Sequence, residues 1–192
     1  MNSRLFTIIT HSLFATAVIA SFVWLAYANA VPSGAVTYVQ DFEQGTPFVS
    51  DFWPPERFDP VVKIGEYAVR PVVESPVSFF IHPPRTFVTS TIQIVYKLKD
   101  TALFEIAVET GPEPEDYKIY QWQSLESLPG DWWRGTIVVP MNDWWRDENN
   151  RYHAQMHVSD LLENHNILWV KEMRVKLEGR PHGWREWWNA FQ

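Results

Sequence analysis

The chain has 192 residues, a formal net charge of −7, 16% aromatic residues and no cysteine. The acidic balance argues against nucleic acid and against an electrostatic hold on anionic lipid. Without cysteine there is no disulfide framework, no thiolate zinc site and no cysteine nucleophile.

Residues 1–30 carry one charged side chain, Arg4, followed by an apolar run that includes Phe6, Ile8, Ile9, Leu13, Phe14, Val18, Ile19, Phe22 and Leu25. The run closes on Ala28-Asn29-Ala30. A basic tip, an apolar centre and a small-x-small end describe a secretory signal. The run is also long enough for a transmembrane anchor of about 20 residues. In either case positive charge holds the tip in the cytoplasm. The rest of the chain is expected outside the cytoplasmic membrane, periplasmic or extracellular, secreted or tethered. A spacer, 31–35, leads to one domain, 36–179, and a tail, 180–192.

Within the domain the pattern is β. Strands are expected at 36–42, 61–64, 67–73, 77–81, 91–99, 102–110, 117–122, 134–139, 152–158 and 168–178, separated by Gly- and Pro-rich turns. A loop rich in aromatics and proline, with Trp53-Pro54-Pro55 at its centre, separates the first two. In 91–99, Ile92, Ile94, Tyr96 and Leu98 alternate with polar neighbours, the signature of a sheet with one buried face. In 152–158, Tyr152, Ala154, Met156 and Val158 alternate with His153, Gln155 and His157. On such a strand His153 and His157 stand about 13 Å apart, too far to share a zinc ion. In 168–178, Trp169, Met173, Val175 and Leu177 are expected on one face. Asp160 and Glu163 have capping-box spacing and suggest a helical turn. Many short strands and almost no long helix point to an all-β sandwich of jelly-roll type.

The sequence holds 11 Trp. Asp131-Trp132-Trp133-Arg134 is echoed by Asp143-Trp144-Trp145-Arg146, read as two loops flanking one strand. In each pair one indole is expected to pack inward and one to face out, where it can stack on a sugar ring. Asp131, Arg134, Asp143 and Arg146 would bond the hydroxyls. In the tail, Trp184, Trp187, Trp188 and Phe191 fall at i, i+3, i+4 and i+7. That is one stripe of an amphipathic helix, suited to a partner or a membrane interface. There is no G-x-S-x-G, no H-E-x-x-H and no phosphate-binding glycine loop, so no enzyme is indicated.

Three stretches resemble galactose-binding-like jelly rolls. Tyr38-Val39-Gln40-Asp41-Phe42-Glu43 resembles their opening strand. The run from Trp133-Arg134-Gly135 through Pro140 to Asp143-Trp144 resembles their strand ending in P-x-x-D-aromatic. Asp160-Leu161-Leu162 with 167–177 resembles their closing turn and strand. The likeness is to carbohydrate-binding modules of that fold and equally to the domain of complex I intermediate-associated protein 30. It implies a two-sheet jelly roll, an aromatic-lined binding face and a structural calcium, for which Asp41, Glu43 and Glu178 would be ligands. Segment 146–157 and the tail depart from the pattern. The expected function is a non-catalytic envelope or extracellular binding module with a glycan ligand. The alternative is an accessory or assembly subunit of a membrane protein complex, and a distant third is a polysaccharide-acting enzyme.

Overall fold

A computed structural model describes residues 3–30, 34–83, 87–98, 104–113, 116–158, 161 and 166–179. The expected capping turn at 160–163, apart from Leu161, and the whole tail with Trp184, Trp187, Trp188 and Phe191 lie outside them. Ser3–Ala30 is one continuous helix, α1. Its described side chains, 10–24, are exposed, including Leu13, Phe14, Ile19, Phe22 and Trp24. Among the described residues no helix is long and apolar enough to cross a membrane. The described side chains of α1 cover less than the ~20 residues that a span requires.

Ala35–Gly179 is a separate compact unit built from two antiparallel sheets. The larger sheet contains β1 (Ala35–Gln40), β2 (Val62–Ile64), β3 (Tyr67–Val72), β5 (Thr89–Lys97), β8 (Ser124–Leu128), β9 (Trp132–Pro140) and β11 (Leu168–Glu178). Its order is β2-β3-β11-β5-β9-β8, with β1 also pairing β11. The smaller contains β4 (Val77–Ile81), β6 (Phe104–Glu109), β7 (Tyr117–Tyr120) and β10 (Tyr152–Val158), in the order β4-β10-β6-β7. Between the sheets lies a core of alternating apolar residues: Ile92, Ile94 and Tyr96 from β5, Phe104, Ile106 and Val108 from β6, Ala154 and Met156 from β10, and Met173, Val175 and Leu177 from β11. Period-two patterning thus does here what it does in any sandwich, sending one half of each strand inward.

Two expectations are corrected. β9 begins at Trp132, two residues before the expected start at Arg134, so Trp132 and Trp133 are strand residues rather than a loop. Trp169 does not share a face with Met173. The register of β11 on β5 shifts between Val170 and Glu172, a bulge at Lys171. An extra residue flips the alternation. Trp169 therefore lies on the outer surface of the large sheet, against a small second cluster of Val69, Val95 and Trp132. β8, an exposed edge strand, follows no alternation and was not expected.

Candidate functional site

The outer face of the four-stranded sheet follows from register. Because Phe79, Ala154, Met156, Ile106 and Val108 fill the core, their strand neighbours point the other way. Residues opposite each other across a ladder share a face. One row reads Ser78, Gln155, Ala107, Ile119. Trp53 extends it: a bridge pairs Trp53 with Ser78 beyond β4, closed by N–H···O bonds of 2.9 and 2.7 Å in the two directions. Trp53 is 58% exposed and Ile119 54%, whereas Ser78 and Ala107 are buried. The row is therefore an exposed indole and an exposed aliphatic side chain at either end of a low floor. At about 4.8 Å per strand its ends are roughly 19 Å apart.

A second row sits beside it, with Phe80 opposite His153 and Glu109 opposite Tyr117. The Phe80 and His153 rings stack, with centroids 4.7 Å apart. The Tyr117 hydroxyl lies 3.1 Å from His153 Nδ1 and accepts from Gln155 Nε2 at 2.7 Å. Gln155 Oε1 lies 3.0 Å from His157 Nε2. Segment 144–151 packs against one end of this row. The Trp145 N–H donates to the Glu109 carbonyl at 2.8 Å, and the Arg151 guanidinium stands 4.7 Å from the centre of the Phe80 ring.

Burial sets the protonation states. His153 is held below the ordinary histidine value of 6.5, first by burial and then by Arg151, against the pull of Asp147. Glu109 is raised, by burial and then by Asp147. The Tyr117 phenol is pushed up to about 12 by burial and then by Glu109. The 3.6 Å approach of Glu109 to His153 Nδ1 is therefore, near neutral pH, a contact with a neutral imidazole rather than an ion pair. Burial alone would raise Asp147, but hydrogen bonds from the backbone and side chain of Arg151 hold it below its usual value.

The two Trp pairs do not form one platform. They stand at opposite ends of β9, roughly 25 Å apart at strand rise. Trp132 and Trp144 are buried, and Trp133 and Trp145 are half-buried. Trp144 Nε1 donates to the His153 carbonyl at 2.8 Å, so the second pair belongs beside the His153 row. Trp132 covers the outer side of the large sheet, and Trp133 packs against the main core. The charged partners are engaged within the protein: Asp131 with Lys97 at 3.3 Å, Arg134 with Glu126 at 2.9 Å, and Asp143 with Lys118 at 2.6 Å and Tyr120 at 2.8 Å. Arg146 faces the Tyr152 ring at 5.8 Å.

The proposed calcium ligands do not meet. Antiparallel pairing of β1 with β11 puts Glu178 opposite Ala35, at the start of β1, while Asp41 and Glu43 follow its end. About 17 Å of strand lies between them. Asp41 caps its own turn, accepting from the N–H groups of Glu43 and Gln44 at 3.1 and 3.2 Å. Glu178 pairs with Lys176. Among the described residues no three His, Asp or Glu side chains gather into a metal site.

The sequence matches no family model and no curated protein. Among solved structures it is similar to the cleaved adhesin domain K2 of Lys-gingipain. The two are 11% identical, the match covers 73% of this chain and 99% of that one, and the TM-score is 0.40. At that level the assignment of a two-sheet β-sandwich rests on the strand pairing described above.

Proposed function

We propose that the sandwich is a non-catalytic binding module whose ligand, a glycan, lies on the outer face of the four-stranded sheet. The observation that carries this reading is Trp53, an indole 58% exposed and in register with Ser78, Gln155, Ala107 and Ile119. An indole face stacks on the apolar side of a sugar ring. On the same face, Gln155, His157 and Tyr117 carry both donors and acceptors for hydroxyls.

The same geometry favours binding over catalysis. A general acid or base works best near the operating pH and within reach of the substrate. Tyr117 is pushed up to about 12, far above neutrality. His153 Nδ1 is already engaged with Tyr117, and its Nε2 is buried. The apolar residues exposed on α1 favour a second, compatible reading in which the module is held at a membrane as an accessory subunit. The 1–30 pattern supports a place outside the cytoplasmic membrane.

The test is retention of the full-length protein, in mild detergent, on an array of neutral and acidic oligosaccharides. Trp53→Ala should weaken retention about tenfold, which is about 1.4 kcal/mol. Tyr67→Ala, on the other sheet, should not. No retention on any glycan, or equal retention by Trp53→Ala, would sink this reading.

A further inference from the structure

We propose that this face is gated by pH: neutral His153 orders it for a glycan, and a proton taken up by the imidazole in mildly acidic conditions releases the ligand. The inference rests on the binding reading above and names its regulation.

The argument starts from the hydrogen-bond chain His153–Tyr117–Gln155–His157. Gln155 Nε2 donates to the Tyr117 hydroxyl at 2.7 Å, so the phenol has its own hydrogen free to give to His153 Nδ1 at 3.1 Å. That bond requires the Nδ1 lone pair, and hence a neutral ring. The ring's other nitrogen, Nε2, is buried without a hydrogen-bond partner. Protonation therefore has two local consequences. Nδ1 becomes a donor facing another donor, so the phenol hydrogen must turn away. Nε2, which already carries the hydrogen of this tautomer and has no acceptor, becomes a charged donor, a costlier arrangement in a buried place.

The groups around the ring decide how easily this happens. From β4 come Phe80, stacked on it, and His82 just beyond the strand, itself lowered by burial and by Arg151. From β6 comes Glu109, with Oε2 3.6 Å from Nδ1. From β7 comes Tyr117, whose neighbour Lys118 is turned to Asp143. From segment 144–151 come Asp147 and Arg151, paired at 2.7 Å. From β10 itself come Gln155 and His157. Asp147 favours the cation, whereas burial and Arg151 oppose it and prevail. Once formed, the imidazolium can turn toward Glu109, whose Oε2 is already 3.6 Å from Nδ1, and that turn draws Nδ1–H away from Tyr117. Gln155 then loses the partner that fixes its amide. Gln155 is the centre of the row that begins at Trp53, so a proton on a half-hidden ring is felt on the ligand floor.

The experiment measures binding of cellohexaose, xylohexaose and mannohexaose to the full chain at about pH 7.5 and about pH 5.5, the range over which histidine titrates. The hexasaccharide held at the higher pH should bind more weakly at the lower, by up to about tenfold for each pKa unit separating bound from free protein. In His153→Gln the affinity should be the same at both. Equal affinity of the native chain at both pH values overturns the gate, as does a loss that persists in His153→Gln. If no hexasaccharide binds at either pH, the glycan reading has failed for these probes, and the gate is judged by NMR of the native chain. The same measurement decides if the variant does not fold. The Gln155 side-chain amide signals should move with the His153 ring titration, and an amide that stays still while the ring titrates overturns the proposal.

Discussion

Asp147 accepts hydrogen bonds from the N–H groups of Asn149 at 2.9 Å and Arg151 at 2.8 Å and from Arg151 Nε at 2.7 Å. It thereby holds segment 144–151 together and supplies a negative charge to the His153 row. Asp147→Asn removes that charge and most of the pairing. Because Asp147 raises both Glu109 and His153, the pKa values of both should fall in the variant. NMR titration checks this, and a rise of either would contradict the assignment of charges. The effect on stability has a definite sign. His153 is depressed below 6.5 in the folded chain, so between the two values the unfolded chain binds more protons. Stability should fall as pH drops through about 6.5 and level off below the folded value. Glu109, raised from 4.5, acts oppositely: its contribution is full below that value and is lost as pH rises past its folded one. At this scale the sequence was half legible. The alternation of β10 put His153, Gln155 and His157 on one polar face without the structure. Trp53 gave no comparable signal, because a Trp-Pro-Pro loop reads as punctuation and its place beside Ser78 is set by a bridge between distant segments.

Strands announced themselves where one face is buried and the other wet. β10 and β11 have the bounds read from the sequence, since Met156 and Leu177 repeat at intervals of two with their neighbours, and β4, read as a short apolar run, has its expected bounds too. β8 escaped notice because Ser124-Leu125-Glu126-Ser127-Leu128 is an edge strand with almost nothing buried. The approach to that strand also explains a glycine. On β9, Gly135 faces inward opposite Ile94, and a methyl group there would overlap the six-membered ring of Trp122. That indole is itself wedged edge-on against Phe104, with centroids 4.8 Å apart. Gly135→Ala should therefore destabilise the sandwich by about 1–3 kcal/mol through overpacking. Urea unfolding would show it, and a stability equal to the native chain's would mean that the Trp122 ring moves aside freely.

The molecule as a whole divides into residues 35–179 and the residues outside those limits. Ala35–Gly179 is a compact unit with a continuous core from both sheets, large enough to fold without disulfides. A chain of residues 35–179 should unfold in one cooperative transition and keep its Trp53-dependent binding. A molten product, without fixed tertiary signals, would show that the domain depends on residues beyond those limits. The central strand of that unit has an unusual division of labour. On one side β11 pairs β5 along its length. On the other it pairs β3 from Leu168 to Val170 and then β1 from Met173 to Glu178. Lys171, the bulged residue, falls at the changeover, its ammonium 3.1 Å above the Tyr67 ring. Substitutions there change a surface side chain. A one-residue deletion is a different kind of event, because it forces β11 to keep its partner on one side of the changeover at the expense of the other. Lys171 should therefore tolerate replacement of its side chain but not loss of the residue itself.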